Sequence, residues 1–478
     1  MGKELIIAAI ENKQRDFIRI AEEIWKNPEL SYHEKASSAL QKEYLRNAGF
    51  RITELDAIQQ YAFIAEWGSG APVIGLLGEF DALPGLSQKV QATQEELVPG
   101  GPGHGCGHNL LGTALLGAAV GIKAAIDAGK LPGTIRYFGA PAEEQLGKPI
   151  LARAGVFSGL DAAFGYHPSD LNTVAAFGTN ASVQLIFRFH GSPAHAAQVP
   201  HLGRSALDAL TLTQVGVEFL REHMPSGARI HYIVTSGGLR ANIVPDYAAG
   251  DFQVRSPRMK ELVPLLKRVI DVARGAALMT GTTVDYQVQH GCYDVLPNKI
   301  MSDLLYENLK ALPPPAYTPE ELDFCRKLSN TMTIDQKRNT LLMLGVDAVS
   351  TENLLSQTVH EGVGYWGQGW TIPASTDVGD VSHITPTAQA YTATYPIGIG
   401  SHTWQATAAS GSTVGMKGMV YASKIFGCAC YDLMTQKETL AKARAEWEAA
   451  IDGETYVAAE DLLKKLAEDG GSETPSTS

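Results

Sequence analysis

The stretch PVIGLLGEFDALPG, from Pro72 to Gly85, joins a short apolar run to acidic residues and a loop. The run Val73–Leu77 has the length and composition of a buried strand, and the Gly and Pro residues after it mark a loop. Similar runs occur at about Thr134–Phe138, in GTIRYFGAPAEEQ, and in LDAAFGYHPSD. Because helical patterns separate these strands, we predict an α/β fold with a mostly parallel sheet covered on both faces.

The middle of the chain has a different pattern. Alternating polarity and helical spacing over residues 180–292 give the order β-α-β-β-α-β, the split βαβ plan of a ferredoxin-like α+β domain. We therefore predict one domain in two parts, residues 1–179 and 293–466, interrupted by this insertion. Residues 312–372 are expected to be irregular, and the polar residues 467–478 are expected to be a disordered tail.

The composition argues against several classes of protein. Acidic residues outnumber basic ones by 51 to 39 and give a net charge of −12, so nucleic acid and anionic membranes are poor electrostatic partners. The five cysteines show no disulfide framework, which indicates reduced thiols in a cytoplasmic protein. The longest apolar stretch, Leu110–Ile122, fits a buried core helix better than a membrane span.

Side chains that can bind metal ions follow the predicted strands or the loop before a helix. They are Glu79, Asp81, Cys106, His108, Glu143, Glu144, His167 and His402. Ligands of open α/β sheets bind outside the carboxyl ends of the strands, so we expect these side chains to meet at one edge. Thiolate, imidazole and carboxylate groups are the ligands that a divalent metal needs.

Two local patterns sharpen this prediction. Cys106 and His108 are two residues apart in GHGCGHNLLG, so both can face one ion, and a thiolate can bridge two ions. Glu143 and Glu144 are adjacent and point in different directions, so one can bind metal while the other stays free. A free carboxylate beside the metal is the arrangement for general-base hydrolysis.

Other interpretations of the same residues are available. Cys106 could act as a nucleophile with His108 as its base, but the remaining histidines and glutamates would then have no role. The case for a dinucleotide-binding site is weak, because GHGCGHNLLG does not match the pattern G-x-G-x-x-G. Taken singly, each residue also has a structural explanation, such as a satisfied buried histidine, a solvated glutamate pair or an Asx turn at Asp81.

Eight segments, in order, resemble the dinuclear metal aminoacylase/carboxypeptidase family of amidohydrolases. They are NPELSYHE (27–34), GEFDALPG (78–85), GHGCGHNLLG (103–112), APAEEQ (140–145), GYHP (165–168), GSPAHAA (191–197), SGGLRANIVPD (236–246) and GIGSHTW (398–404). The resemblance covers nearly the whole chain. It implies a metallopeptidase-like catalytic domain, and it makes the inserted domain a lid and dimerisation domain.

The resemblance also implies a role for each matching residue. The metal ligands would be Cys106, His108, Glu144, His167 and His402, with Cys106 as the bridge between two divalent ions. Glu143 would be the general base, and Asp81 would orient a ligand. In the inserted domain, His195 would stabilise the oxyanion, often across a dimer, and Asn242 would lie near the substrate.

The chain departs from the family pattern at two positions. Asn109 stands where the family commonly has Asp, and Glu79 begins EFDALP where DxDALP is common. Both changes lie close to the predicted ligands, so they bear on metal identity and affinity. Thiolate favours zinc, whereas the resemblance brings manganese into consideration.

The resemblance implies a metal-dependent amidohydrolase that cleaves an N-acyl or N-aroyl amino acid or dipeptide, with a p-aminobenzoyl-glutamate-like substrate favoured. Arg204, Arg240 and Arg255 are candidate partners for the substrate carboxylate, with Arg204 taken as the substrate-binding residue. The expected assembly is a homodimer, with a second related subunit as a further option. The alternative from another class is a non-catalytic metal- or peptide-binding subunit that supports a partner hydrolase.

Overall fold

The computed structural model describes residues 2–462 and 464. The contacts divide the chain into two compact units. The larger unit holds the described residues up to Gly178, Leu296–Ile372 and Asp380–Tyr456, and the smaller unit holds Thr179–Val295, Pro373–Gly379 and the described residues from Val457 onward.

The domain boundaries from the sequence, including the catalytic role of residues 1–179 and 293–466, stay a prediction. The expected disordered tail, residues 467–478, lies outside the described residues.

Helices and strands follow one another along the described chain, singly or in short runs. The helices are α1 Gly2–Lys26, α2 Lys35–Asn47, α3 His108–Asp127, α4 Lys148–Arg153, α5 Ala206–Leu220, α6 Met259–Thr280, α7 Lys299–Ala311, α8 Pro319–Ser329, α9 Ile334–Met343, α10 Ala348–Leu355, α11 Val378–Ser382, α12 Trp404–Ser410, α13 Thr413–Thr435 and α14 Lys437–Ile451. The strands are β1 Arg51–Glu54, β2 Phe63–Ser69, β3 Val73–Gly78, β4 Gly133–Gly139, β5 Ala162–Ser169, β6 Thr173–Val174, β7 Gly178–Thr179, β8 Ala181–His190, β9 Arg229–Ser236, β10 Tyr247–Ser256, β11 Thr283–Cys292, β12 Thr371–Ile372 and β13 Thr387–Ala393.

The larger unit is built on a seven-stranded sheet in the order β1-β2-β4-β3-β5-β13-β6. The four central strands β4, β3, β5 and β13 are parallel, and the outer strands β1, β2 and β6 pair antiparallel. Successive residues of a strand face opposite sides, and Tyr137 and Phe138 in β4 are both buried, so both faces of the sheet are covered. The predicted mostly parallel α/β fold is confirmed.

Helix α3 forms the centre of the hydrophobic core in the larger unit. It packs against α1, α13 and strands β3, β4 and β5. A Cβ atom at Gly121 would lie 2.9 Å from Ile10, so glycine allows α1 this close approach. In the described part of the chain α3 is the one helix long and apolar enough to cross a membrane, yet 78% of its apolar window is buried inside the fold. This matches the core helix predicted around Leu110–Ile122.

The smaller unit contains a four-stranded antiparallel sheet in the order β11-β8-β10-β9. Helices α5 and α6 pack against each other and against the sheet. In β8 the apolar residues Val183, Leu185, Phe187 and Phe189 are buried, and the residues between them are more exposed. This alternation gives the strand one core face, and the chain order β8-α5-β9-β10-α6-β11 is the predicted split βαβ plan.

The prediction of irregular structure for residues 312–372 is wrong for much of that segment. It contains α8, α9 and α10, and two of these helices begin with a capping box. In the first box the Thr318 hydroxyl accepts a hydrogen bond from the Glu321 N–H, and the Glu321 carboxylate accepts one from the Thr318 N–H. Thr333 and Gln336 form the same pair of bonds in the second box. The Ser/Thr-x-x-Glu/Gln pattern marks such helix starts, but the neighbouring prolines and glycines obscured it.

Candidate metal centre

The parallel strands deliver the predicted ligands to one edge of the sheet. Gly78 and Gly139, the last residues of β3 and β4, are in register, so Glu79 and the loop that carries Glu143 leave the sheet side by side. His167 lies near the end of β5, which pairs with β3 and β13. The carboxyl ends of neighbouring parallel strands therefore supply most of the site.

The candidate ligand atoms form three overlapping groups, each within 4.8 Å. The groups are Cys106, His108 and His167; Cys106, Glu144 and His402; and Glu79, His108, Glu143 and His167. The structure thus brings together all five predicted metal ligands and the predicted base. Their roles as ligands and base remain predictions.

Asp81 fixes the orientation of His108. Its Oδ1 lies 2.8 Å from His108 Nδ1, and its Oδ2 accepts hydrogen bonds from the Ser31 hydroxyl at 2.8 Å and the Glu144 N–H at 3.0 Å. Burial opposes ionisation of Asp81, but the charge and hydrogen bond of His108 and the other two donors lower its pKa to about 2. An ionised carboxylate can only accept, so Nδ1 of His108 carries hydrogen and Nε2 faces the other ligands.

Cys106 sits in the turn that starts α3, where Gly107 adopts a left-handed φ of 76°. Burial works against its ionisation, but the charge of His108 and hydrogen bonds from His167 and His402 lower the pKa of the thiol well below its usual value. The hydrogen bond to Cys106 and the one to Glu144 raise the pKa of His402 to about 10. The thiolate is the metal-binding form of cysteine, so this arrangement favours it.

Glu143 and Glu144 lie on a short strained turn. They occupy a 3₁₀ turn, Glu143–Gln145, flanked by Ala142 and Leu146 at φ values of 63° and 57°. Burial, then the charges of Glu79 and Glu144, raise the pKa of Glu143 to about 7. Left-handed backbone at non-glycine residues costs energy and is frequent at active sites, and here two such residues flank the adjacent carboxylates, both of which lie within 4.0 Å of His108 Nε2.

Two observations indicate that the side chains of this cluster are suited to bind metal ions. Among the described residues, His108 Nε2 and Glu79 Oε2 are buried without any hydrogen-bond partner. Buried polar atoms are costly to leave unpaired, so a bound cation would satisfy them. Sulfur, imidazole nitrogen and carboxylate oxygen are also the donors that divalent transition metals take.

The other predicted site residues lie in the smaller unit. His195 is exposed, and its Nδ1 accepts the N–H groups of Ala197 and Gln198 at 3.3 and 3.2 Å, so in the neutral ring Nε2 carries the hydrogen. The carbonyl of Asn242 accepts the N–H of Ala196 at 3.0 Å.

Arg204 is also exposed, and its Nη1 donates to the carbonyls of His201 and Gly203 at 3.1 and 2.7 Å. The roles of His195, Asn242 and Arg204 in the reaction stay predictions.

Several residues at the centre were missed from the sequence. Ser31 and Glu34 belong to the segment NPELSYHE but received no role, and Glu34 Oε1 accepts the Ala142 N–H at 2.6 Å. Lys148 is fully buried and donates to Glu79 at 2.5 Å. An isolated lysine carries no local signal, so only the fold could identify it.

Asn109 has a structural task. Its Nδ2 donates to the carbonyls of Ala21 and Ser410 at 3.3 and 3.1 Å, from residues far apart in the chain. A carboxylate could not donate either bond, which gives a physical reason for asparagine at this position.

Comparisons with known proteins agree with this architecture. Residues 75–469 match the profile of Peptidase family M20/M25/M40. The chain is 38% identical over 457 residues to one subunit of the p-aminobenzoyl-glutamate hydrolase of Escherichia coli (strain K12), covering 94% of this chain and 95% of that one. It is 30% identical over 448 residues to Xaa-Arg dipeptidase of Mus musculus, covering 90% and 88%.

A solved structure shares the fold at low identity. A dinuclear metal binding peptidase of the M20 family from Bacillus subtilis superposes with a TM-score of 0.57 at 17% identity, covering 89% of this chain and 99% of that one. The profile match spans most of the chain. The two relatives are hydrolases, and the chain matches nearly the whole length of each. The chain therefore belongs to peptidase family M20/M25/M40 and is a metal-dependent hydrolase.

Proposed function

We propose that this chain hydrolyses the amide bond of an N-aroyl or N-acyl amino acid or of a dipeptide, and that it uses two divalent ions, zinc or manganese. One observation carries the proposal: Glu143 is buried in one group with Glu79, His108 and His167, and the Cys106 sulfur lies within 4.8 Å of ligand atoms of these two histidines and of Glu144 and His402. When bound, the ions would polarise the scissile carbonyl and lower the pKa of water.

Glu143 is the general base in this proposal. Its carboxylate accepts a proton from the attacking water and later delivers that proton to the leaving amine nitrogen. Both steps need a group that can accept and later release a proton, and burial beside other carboxylates raises the pKa of Glu143 above its ordinary value. Asp81 assists indirectly by holding His108 in one tautomer and orientation.

His195 supplies the hydrogen bond to the oxyanion of the tetrahedral intermediate. Two backbone N–H groups occupy its Nδ1, so the neutral ring presents Nε2–H as a donor. A preorganised donor of this kind is worth a few kcal/mol in the transition state.

The substrate class follows from the relatives rather than from the geometry. The E. coli relative is named for p-aminobenzoyl-glutamate and the mouse relative for Xaa-Arg dipeptides. We propose p-aminobenzoyl-glutamate-like compounds first, because that relative has the higher identity. Arg204 and Asn242 are the proposed substrate-binding residues, with Arg204 paired to a carboxylate.

The deciding experiment uses the purified full chain. It is assayed on p-aminobenzoyl-glutamate, N-acyl amino acids and Xaa-Arg dipeptides, with and without chelator, while its metal content is measured. Hydrolysis that disappears with chelator and returns with zinc or manganese supports the proposal. Metal binding without hydrolysis of any of these amides would instead favour a non-catalytic binding subunit.

We propose a homodimer as the assembly and the cytoplasm as the location. The E. coli relative is named as one subunit of a hydrolase, so a second related subunit is the competing assembly. Light scattering on the purified chain distinguishes the two, because a chain that is dimeric and active alone requires no second type of subunit.

A further inference from the structure

A buried lysine and glutamate form an ion pair at the edge of the candidate metal centre. Lys148 Nζ lies 2.5 Å from Glu79 Oε1, and both side chains are almost completely buried. Burying two charges is expensive, and a buried pair is often no more stabilising than an apolar pair of similar size. Fold stability alone therefore gives a weak reason for this pair.

The geometry of Glu79 points to the metal centre. Its second oxygen, Oε2, is buried without a hydrogen-bond partner and lies 3.6 Å from His108 Nε2, which also lacks a partner. Glu79 belongs to the group of potential ligand atoms formed with His108, Glu143 and His167. One oxygen of Glu79 thus contacts Lys148, and the other faces the metal-binding side chains.

The turn after β4 places Lys148 against Glu79. The N–H of Gly147 donates to the Ala142 carbonyl at 2.8 Å, which closes the loop holding Glu143 and Glu144 and starts α4 at Lys148. A Cβ atom at Gly147 would lie 2.2 Å from the Pro141 carbonyl oxygen, so this tight turn needs glycine. The same loop therefore presents the proposed base and the lysine.

The charges at the site are consistent with such a role. Glu79, Asp81, Cys106, Glu143 and Glu144 carry five negative charges when all are ionised, and they lie in one buried cluster. Two divalent cations would balance four of these charges, and the ammonium of Lys148 would balance the fifth. A buried site with balanced charge avoids the cost of an unpaired ion.

We propose that Glu79 is an additional oxygen donor of the metal centre, on the His108 and His167 side, and that Lys148 is the positioning residue that orients it. This inference rests on the proposed two-metal hydrolase. It concerns residues that the family resemblance left without a role, and it makes EFDALP a functional variant of the common motif.

The test measures metal binding rather than turnover. Wild type, Glu79→Gln and the double variant Glu79→Gln/Lys148→Met are stripped of metal and titrated with Zn²⁺ and Mn²⁺ against a chromophoric chelator. Glu79→Gln keeps an acceptor for the ammonium and removes one negative charge from a crowded site, so we expect it to fold. The double variant replaces the pair with neutral groups of similar size.

We expect both variants to bind one equivalent of metal at least about tenfold more weakly than wild type, while the other equivalent is held as before. Thermal melts should show folded proteins. A matched control is Lys417→Met, which breaks the 2.6 Å Lys417–Glu321 ion pair, a pair that includes none of the candidate metal ligands, and should leave metal binding unchanged.

Each result has a defined meaning. If both folded variants bind two equivalents with wild-type affinity, Glu79 is not a donor and the inference is wrong. If wild type itself binds no metal, the proposed function fails first, and this outcome is separate from the previous one. A purely structural pair would lower the melting temperatures of the variants and leave all metal affinities unchanged, which also overturns the inference.

Discussion

The metal cluster of the larger unit and the His195 segment of the smaller unit hold their side chains in different ways. Cys106 and His108 are buried among groups that set each other's protonation, and their pKa values move far from the ordinary ones. His195 is exposed, and backbone N–H groups rather than charged neighbours select its tautomer. One region sets protonation through electrostatics, and the other sets a histidine tautomer through local backbone geometry.

Replacing the proposed base should have the largest effect. Glu143→Gln removes the proton acceptor but no proposed metal ligand, so kcat should fall about 10²–10⁴-fold while the chain keeps its metal. Steady-state kinetics together with metal analysis of the same preparation check this. A variant that lost metal in proportion to activity would place Glu143 among the ligands and weaken the distinction between the adjacent glutamates.

The next effect should come from the smaller unit. His195→Ala removes the proposed hydrogen-bond donor to the oxyanion, and loss of one such donor typically lowers kcat about 10²–10³-fold. Metal content and melting temperature should not change, because His195 is exposed. His223→Ala, at a histidine in the same unit that has no proposed role, is the control. Equal activities of these two variants would contradict the proposed role of His195.

A third test asks whether burial of an ionisable group outside the metal centre, at His360 in the larger unit, makes the stability of the fold depend on pH. Burial lowers the pKa of His360 to about 4, and its Nδ1 accepts the Asn172 N–H at 3.0 Å. Unfolded histidine titrates near 6.5, so between these values the unfolded state binds more protons. The free energy of unfolding therefore decreases as the pH falls from about 6.5 to about 4, by about 3 kcal/mol over the whole range.

His360→Gln should reduce this acid sensitivity, since glutamine keeps an acceptor for Asn172 and does not titrate. Denaturant unfolding of wild type and variant between pH 7 and pH 4 measures the difference. The exposed His223→Gln should follow the wild-type curve, and parallel curves for all three proteins would show that burial at His360 has no thermodynamic effect.

The smallest effect should come from Arg204, whose Nη1 is held by the backbone carbonyls of His201 and Gly203. If the guanidinium binds a substrate carboxylate, Arg204→Ala should raise KM about tenfold, from the loss of a charge-assisted hydrogen bond, with little change in kcat. A substrate analogue with an amide in place of that carboxylate should not distinguish wild type from variant. An equal change for both substrates would make Arg204 a structural residue of its loop.

The sequence was most informative where local pattern and chain order agree. The apolar run before Glu79 and the strand that carries His167 predicted the parallel sheet and the edge where ligands meet. Residues whose partners lie far away in the chain could not be predicted in this way. Asn109 depends on carbonyls of α1 and α12, and Lys148 depends on the end of β3.

Two other misses have a different origin. The capping boxes at Thr318 and Thr333 are visible in the sequence, but the surrounding PPPAYTPEE and the glycine-rich segment favoured irregular structure. The left-handed conformations of Ala142 and His402 could not be predicted, because alanine rarely adopts them and histidine, although more tolerant, does so too seldom for the sequence alone to indicate one. They are imposed by the packing of the loops that carry the site.

The position of α3 has a consequence for how the protein is made. Part of its apolar surface is covered by α13, which the ribosome synthesises long after α3. Until then the nascent polypeptide exposes apolar surface of α3, a helix as hydrophobic as a membrane-spanning segment, directly after Cys106. Such late closure slows folding and exposes the chain to aggregation, so production of this enzyme should respond strongly to chaperone supply and to growth temperature.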